Sequence, residues 1–284
     1  MNLTPDLEKR YTTEQQSALE AQRLAQQIAF APVAFQVSRL MVKLGVFSAL
    51  SEASEGLTPK QIADATKLSA YAVQILLEAS LSIGTVIVRN DRFLLTKAGW
   101  FLLRDKTTQV NMDFVQEVCY LGLNHLEAAL IEGKPAGLKV FGSWPTIYEG
   151  LSELPAEAQQ KWFAFDHYYS DYSFADALNI IFKEEVHTLL DVGGNTGRFA
   201  LCCVDFNPKV QVTIMDLPQQ LSLMQEHIKG KKGADRIYAY PVNLLDPAVP
   251  FPAGFDVIWM SQFLDCFSPE EVTSILKRAA AAMT

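Results

Sequence analysis

Nine consecutive residues, Leu189-Leu190-Asp191-Val192-Gly193-Gly194-Asn195-Thr196-Gly197, constrain this chain more than any other stretch. An apolar run ends in an acid and a glycine-rich turn, and a helical pattern follows from Arg198. About 20 residues past the loop, a second apolar run ends at Asp216. This order encodes a strand, a tight loop beneath a nucleotide-like ligand, and an acid placed for a ribose.

The surrounding pattern agrees. From Glu185 onward strand and helix signals alternate: His187–Val192, a helix from Arg198, Val210–Met215, a helix from Gln219, Arg236–Val242 and Phe255–Phe263. Ser268-Pro269-Glu270-Glu271 then opens a last helix with a capping box and proline at its first position. Such alternation predicts an α/β fold with a Rossmann-like parallel sheet covered by helices.

The N-terminal part reads differently. Residues 13–50 are helical in pattern, with an interruption at Pro32 and a second run apolar enough to require a partner. Thr58-Pro59-Lys60-Gln61 caps a short helix, Ser69 caps another, and Val86-Ile87-Val88, Asn90-Asp91 and Phe93-Leu94-Leu95 spell a hairpin. Two helices and a two-stranded wing make a winged helix. Its second helix, Ser69 to Ser80, contains no Lys or Arg. Reading a DNA groove needs such donors, so dimerisation or packing is the expected role, without nucleic acid. The domains expected are 1–105 (helical, winged helix), 106–182 (connecting helices) and 183–284 (Rossmann-like).

Within the connecting segment, Phe163 to Tyr172 is dense in aromatics. It reads either as a helix packed on the following domain or as a wall or lid of the ligand pocket. A net charge of −8 argues against a broad phosphate-binding surface. No apolar run is long enough for a membrane span, and the N-terminus lacks signal-peptide features, so a cytoplasmic location is expected. Cys119, Cys202, Cys203 and Cys266 form no C-x-x-C pair, and the four histidines lack ligand spacing, so no metal site is expected.

The loop's chemistry narrows the ligand. Gly193 and Gly194 let the backbone turn sharply and approach a ligand closely, Asn195 tolerates left-handed geometry, and Gly197 lets the next helix sit tight on the strand. A dinucleotide loop carries no leading acid, whereas Asp191 suits a ligand bearing an ammonium group. Asp216 accepts from ribose hydroxyls. An amino acid joined to a ribose describes S-adenosylmethionine.

Asp191–Gly197, Met215-Asp216-Leu217-Pro218 and Phe255-Asp256-Val257-Ile258-Trp259-Met260-Ser261 together resemble the successive motifs of class I S-adenosylmethionine-dependent methyltransferases. With the winged helix, they resemble the two-domain small-molecule O-methyltransferases, over roughly residues 35–284. The resemblance implies a homodimer through the N-terminal domain. It implies cofactor roles for Gly193 and the loop after it, for Asp216 and Leu217, for Asn243 and Leu244 beside the adenine, and for Ser261. It also implies O-methylation of a small aromatic or polyketide-like hydroxyl compound.

Two departures accompany the resemblance. Aligned on Ser268, Asp265 stands where many members carry a catalytic histidine. A carboxylate serves as base if burial raises its pKa; otherwise it is a loop aspartate that caps or solvates. The chain also stops after the fourth strand and its helix, where the class I fold has seven strands, so a C-terminal truncation is expected. The rival readings are a non-catalytic cofactor- or metabolite-binding homologue, a winged-helix regulator and a nicotinamide-dependent dehydrogenase.

Overall fold

The computed structural model describes Lys9 and residues 11–283. The chain divides into two compact units, the first extending through Gln109 and the second starting at Val110. Among the described residues no helix is long and apolar enough to cross a membrane.

In the first unit, α1 (Ala18–Ala29) opens with a capping box from Ser17 and Glu20. Phe30 interrupts it, and α2 (Ala31–Lys43) restarts with Pro32 in its first turn, where a missing N–H costs nothing. α3 (Val46–Ser51) follows, then α4 (Pro59–Thr66) behind the Thr58–Gln61 capping box, and α5 (Ala70–Ile83) capped by Ser69. β1 (Val86–Arg89) and β2 (Arg92–Leu95) pair antiparallel through Asn90 and Asp91, both at positive φ, as a two-residue hairpin requires. α6 (Lys97–Arg104) follows the hairpin. Met41, Phe47, Ile62 and Leu77 fill its core, whereas α1 buries nothing.

The second unit begins within α7 (Lys106–Phe114). α8 (Leu126–Glu132), the short α9 (Ile147–Gly150) and the long α10 (Ala156–Ile181) lead to the sheet. β3 (Thr188–Val192), α11 (Arg198–Phe206), β4 (Gln211–Asp216), α12 (Pro218–Ile228), β5 (Ile237–Pro241), β6 (Val257–Met260) and α13 (Pro269–Ala282) complete it. All four of these strands are parallel, in spatial order β5-β4-β3-β6. The predicted α/β architecture is therefore present.

Side chains alternate across the sheet with period two. Leu189, Val212 and Ile214 join one core with Phe199, Cys203 and Met224; Leu190, Val192 and Met215 join another with Phe251, Phe263 and Ile275. Asp191 and Asp216 thus stand on the α11 face, both at strand C-terminal ends. The chain after β3 crosses to β4 on one side, and β6 lies on the other. That reversal of direction is where open parallel sheets hold ligands.

One boundary differs from the sequence expectation. β6 ends at Met260 rather than continuing to Phe263, because Gln262 takes a left-handed φ of 47° and leaves the ladder. The turn sends the Phe263 ring inward against Gly193.

Candidate active site

The loop after β3 is built as its residue types predict. Gly193, at φ 70°, extends the ladder by donating its N–H to Met215 O at 2.9 Å, and any Cβ there would run into the Phe263 ring. A Cβ on Gly194 would lie 2.7 Å from Asp191 Oδ2. Asn195 takes φ 50°, its backbone N–H donates to Asp216 Oδ2 at 3.3 Å, and its side chain accepts from Gln220 Nε2. Gly197 caps α11 at φ 75° and packs against Met224 and Ile228.

The two acids are the most deeply buried charges here, Asp191 3% and Asp216 4% exposed. Burial raises the pKa of both, and the neighbouring Asp216 raises Asp191 further. Asp216 Oδ1 accepts the Leu217 N–H at 2.8 Å, which leaves lone pairs on both its oxygens. Asp191 Oδ2 has no hydrogen-bond partner among the described residues. An orphaned buried carboxylate oxygen is costly and is explained by a cationic ligand.

Loop and acids open into one cavity of about 300 Å³. Of the residues expected from the sequence, Asp191, Gly193, Gly194, Asn195, Asp216, Ser261 and Asp265 line it. Gly197, Leu217, Asn243 and Leu244 do not. Gly197 serves the helix start, and Leu217 and Leu244 are buried in the core. Asn243 is exposed, and its Oδ1 accepts the Leu245 N–H at 3.0 Å, a local turn bond.

The cavity's other wall is α10. Trp162, Phe165, Asp166, His167, Ser170 and Phe174 face it, with Phe114 from α7 stacked on Phe165 at 4.1 Å. The sequence signal for this wall is the aromatic density of 163–172, which does not distinguish Asp166 or His167 from their neighbours. Burial pushes Asp166 up to about 7, with the Asp265 charge adding and a hydrogen bond from Trp162 opposing. Burial beside Arg198 pushes His167 down to about 4, and its Nε2 lies 3.2 Å from Thr196 Oγ1. Arg198 is itself paired with Asp171. Asp265 lies exposed in the turn Leu264–Cys266. The adjacent Cys266 thiol is pushed up to about 12 by burial and carboxylates, which keeps it protonated.

S-Adenosylmethionine fits this donor set. Its ammonium matches the unpartnered Asp191 oxygen, its diol matches Asp216, and the loop leaves space that a Cβ would fill.

A Dimerisation2-like domain model matches residues 22–93, and an O-methyltransferase domain model matches residues 123–284. The L-tyrosine C(3)-methyltransferase of Streptomyces lavendulae is 28% identical, covering 90% of this chain and 70% of its own. Human acetylserotonin O-methyltransferase is 23% identical over 73% of this chain, which spans only 62% of that enzyme. The apo structure of the S-adenosylmethionine-dependent methyltransferase SibL superposes with TM-score 0.64 at 25% identity, covering 91% of this chain and 76% of its own.

Proposed function

This chain belongs to the O-methyltransferase domain family, and we propose from that premise that it methylates the hydroxyl oxygen of a small aromatic or polyketide-like compound. The observation that carries the reading is the buried, unpartnered carboxylate oxygen of Asp191 beside the glycine loop. When bound, S-adenosylmethionine supplies a methyl group on a positively charged sulfur. Asp191 holds the ammonium and Asp216 the ribose hydroxyls, while the loop backbone from Gly193 to Asn195 leaves room for the amino-acid part. Phe114, Trp162 and Phe165 offer flat apolar faces to an aromatic acceptor and exclude water. Holding both reactants in one cavity removes much of the entropic barrier to a bimolecular transfer.

The match of residues 22–93 to a dimerisation domain supports a homodimer, and the exposed apolar residues of α1 give it a contact face. Incubation with methyl-labelled S-adenosylmethionine and a panel of phenols, catechols and hydroxyquinones tests the reading. Labelled ether product from at least one of them is expected. S-Adenosylhomocysteine binding with no transfer to any of them would instead favour a cofactor-binding homologue.

A second acceptor atom is favoured by one comparison, since the relative sharing 28% identity is named for methylation at a ring carbon of tyrosine. Removing a phenol proton activates the oxygen and the ring carbons beside it alike. Including L-tyrosine in the panel and locating the label by mass spectrometry separates the two.

A further inference from the structure

We infer that Asp166, on α10, is the general base that takes the acceptor's hydroxyl proton during methyl transfer, in place of Asp265. The inference rests on the methyl-transfer reading above. It assigns the proton to a residue that the motifs after β6 do not include.

The other titratable groups of the cavity are less suited, Tyr148 among them, because burial pushes its phenol up and keeps it protonated. Asp191 and Asp216 belong to the glycine-loop end and stand against the backbone there. Arg198 is held by Asp171, and His167 is engaged with Thr196. The Cys266 thiol stays protonated near neutral pH. Asp265 lines the cavity but is exposed, so water competes for it. Asp166 is half-buried in the aromatic wall, one helical turn from Trp162, whose side chain favours its charged form, and next to Phe165. It therefore lines the cavity from the wall that carries the aromatic rings.

Its surroundings suit the task. The groups that act on its charge are Asp265, in the turn after β6, and Trp162 on its own helix, and its carboxylate in turn helps raise the Cys266 thiol. Burial and the Asp265 charge make the carboxylate more basic, and the Trp162 hydrogen bond restrains that rise. A base whose pKa lies near the working pH combines a usable deprotonated fraction with adequate basicity. In the step itself an acceptor oxygen lone pair forms the O–C bond as the C–S bond of the sulfonium donor breaks. The C–S electron pair remains on sulfur, giving the neutral thioether, and the acceptor's O–H proton passes to Asp166. Asp166 then releases it to solvent.

Two measurements on the full chain test this. First, the Trp162 indole N–H resonance of ¹⁵N-labelled protein should titrate with a midpoint near 7. The titration should vanish in Asp166→Asn and move to lower pH in Asp265→Asn, which removes a neighbouring negative charge. A Trp162 resonance that does not titrate between pH 5 and 9 overturns the proposal, with or without a known acceptor. Second, with catechol as acceptor, Asp166→Asn should lose about 100-fold or more in kcat. Its affinity for S-adenosylhomocysteine should stay within about twofold of wild type, and Asp166→Glu should recover part of the rate. Turnover of Asp166→Asn within about threefold of wild type overturns the proposal. Wild-type protein that fails to bind S-adenosylhomocysteine overturns the methyl-transfer reading instead, and the resonance measurement still decides whether Asp166 titrates as proposed.

Discussion

The backbone N–H of Asn195 donates to Oδ2 of Asp216 at 3.3 Å, tying the tip of the glycine loop to the end of the neighbouring strand. Asn195 itself turns at a left-handed φ of 50°, and the Gln220 amide holds its side chain from α12. The shape of the loop and the acid at the end of β4 are therefore one unit rather than two motifs that happen to be near each other.

From this follows a pair of substitutions with opposite outcomes. Asn195→Gly keeps φ 50° accessible, so affinity for S-adenosylhomocysteine should stay within about threefold. Asn195→Val places a β-branched residue where φ is positive, at a cost of about 1–3 kcal/mol. Calorimetry should show binding weakened about tenfold or more.

Gly193→Ala is expected to be worse than either. The new methyl meets the Phe263 ring, and φ 70° is strained for alanine. Loss of measurable S-adenosylhomocysteine binding together with a lowered Tm is the expected result. Adding Phe263→Ala should restore part of the stability, because it removes the clash but not the strain.

Asp191 gives a pH signature. Its folded pKa is raised above that of the unfolded chain, so the folded state holds a proton that the unfolded state loses first. Its contribution to stability is complete below the unfolded value and is lost as pH rises through the folded one. Asp191→Asn should therefore raise the Tm of the ligand-free protein most at pH 8 and least near pH 4. The gain corresponds to about 2–4 °C for each kcal/mol. The same variant should bind S-adenosylhomocysteine more weakly, and thermal melts across pH with and without it check both.

The dimer proposal rests on α1, which buries no residue and leaves Leu24, Ile28 and, just past its end, Phe30 exposed. Leu24→Asp with Ile28→Asp should move the protein to a monomer in size-exclusion chromatography with light scattering. An unchanged mass would place the contact elsewhere.

The parts of the fold legible from sequence were those written in local chemistry. The capping boxes at Thr58 and Ser268, the Asn90-Asp91 turn and the restart at Pro32 each state a backbone preference on their own. Asp191 and Asp216 were legible because each ends an apolar strand, and strand ends at a reversal of sheet order converge. Asp166 was not legible. The aromatic residues around it mark a packed helix, but not that this aspartate faces a cavity, because Phe114 and Asp265, distant in sequence, are brought near it by the fold. Asn243 shows the reverse case: a motif position whose side chain bonds its own turn instead of the cavity. The end of β6 was misplaced because the left-handed turn at Gln262 carries no glycine or asparagine to announce it.

The central claim is that the acids at the ends of β3 and β4 hold S-adenosylmethionine. Titration calorimetry of S-adenosylhomocysteine into wild type and Asp216→Ala tests it most directly. The account predicts one site per chain in wild type and, in the variant, affinity lower by about 1.5–3 kcal/mol, or roughly 10- to 100-fold, from losing bonds to a charged group. Equal affinity in the two proteins, or no binding to wild type, would contradict it.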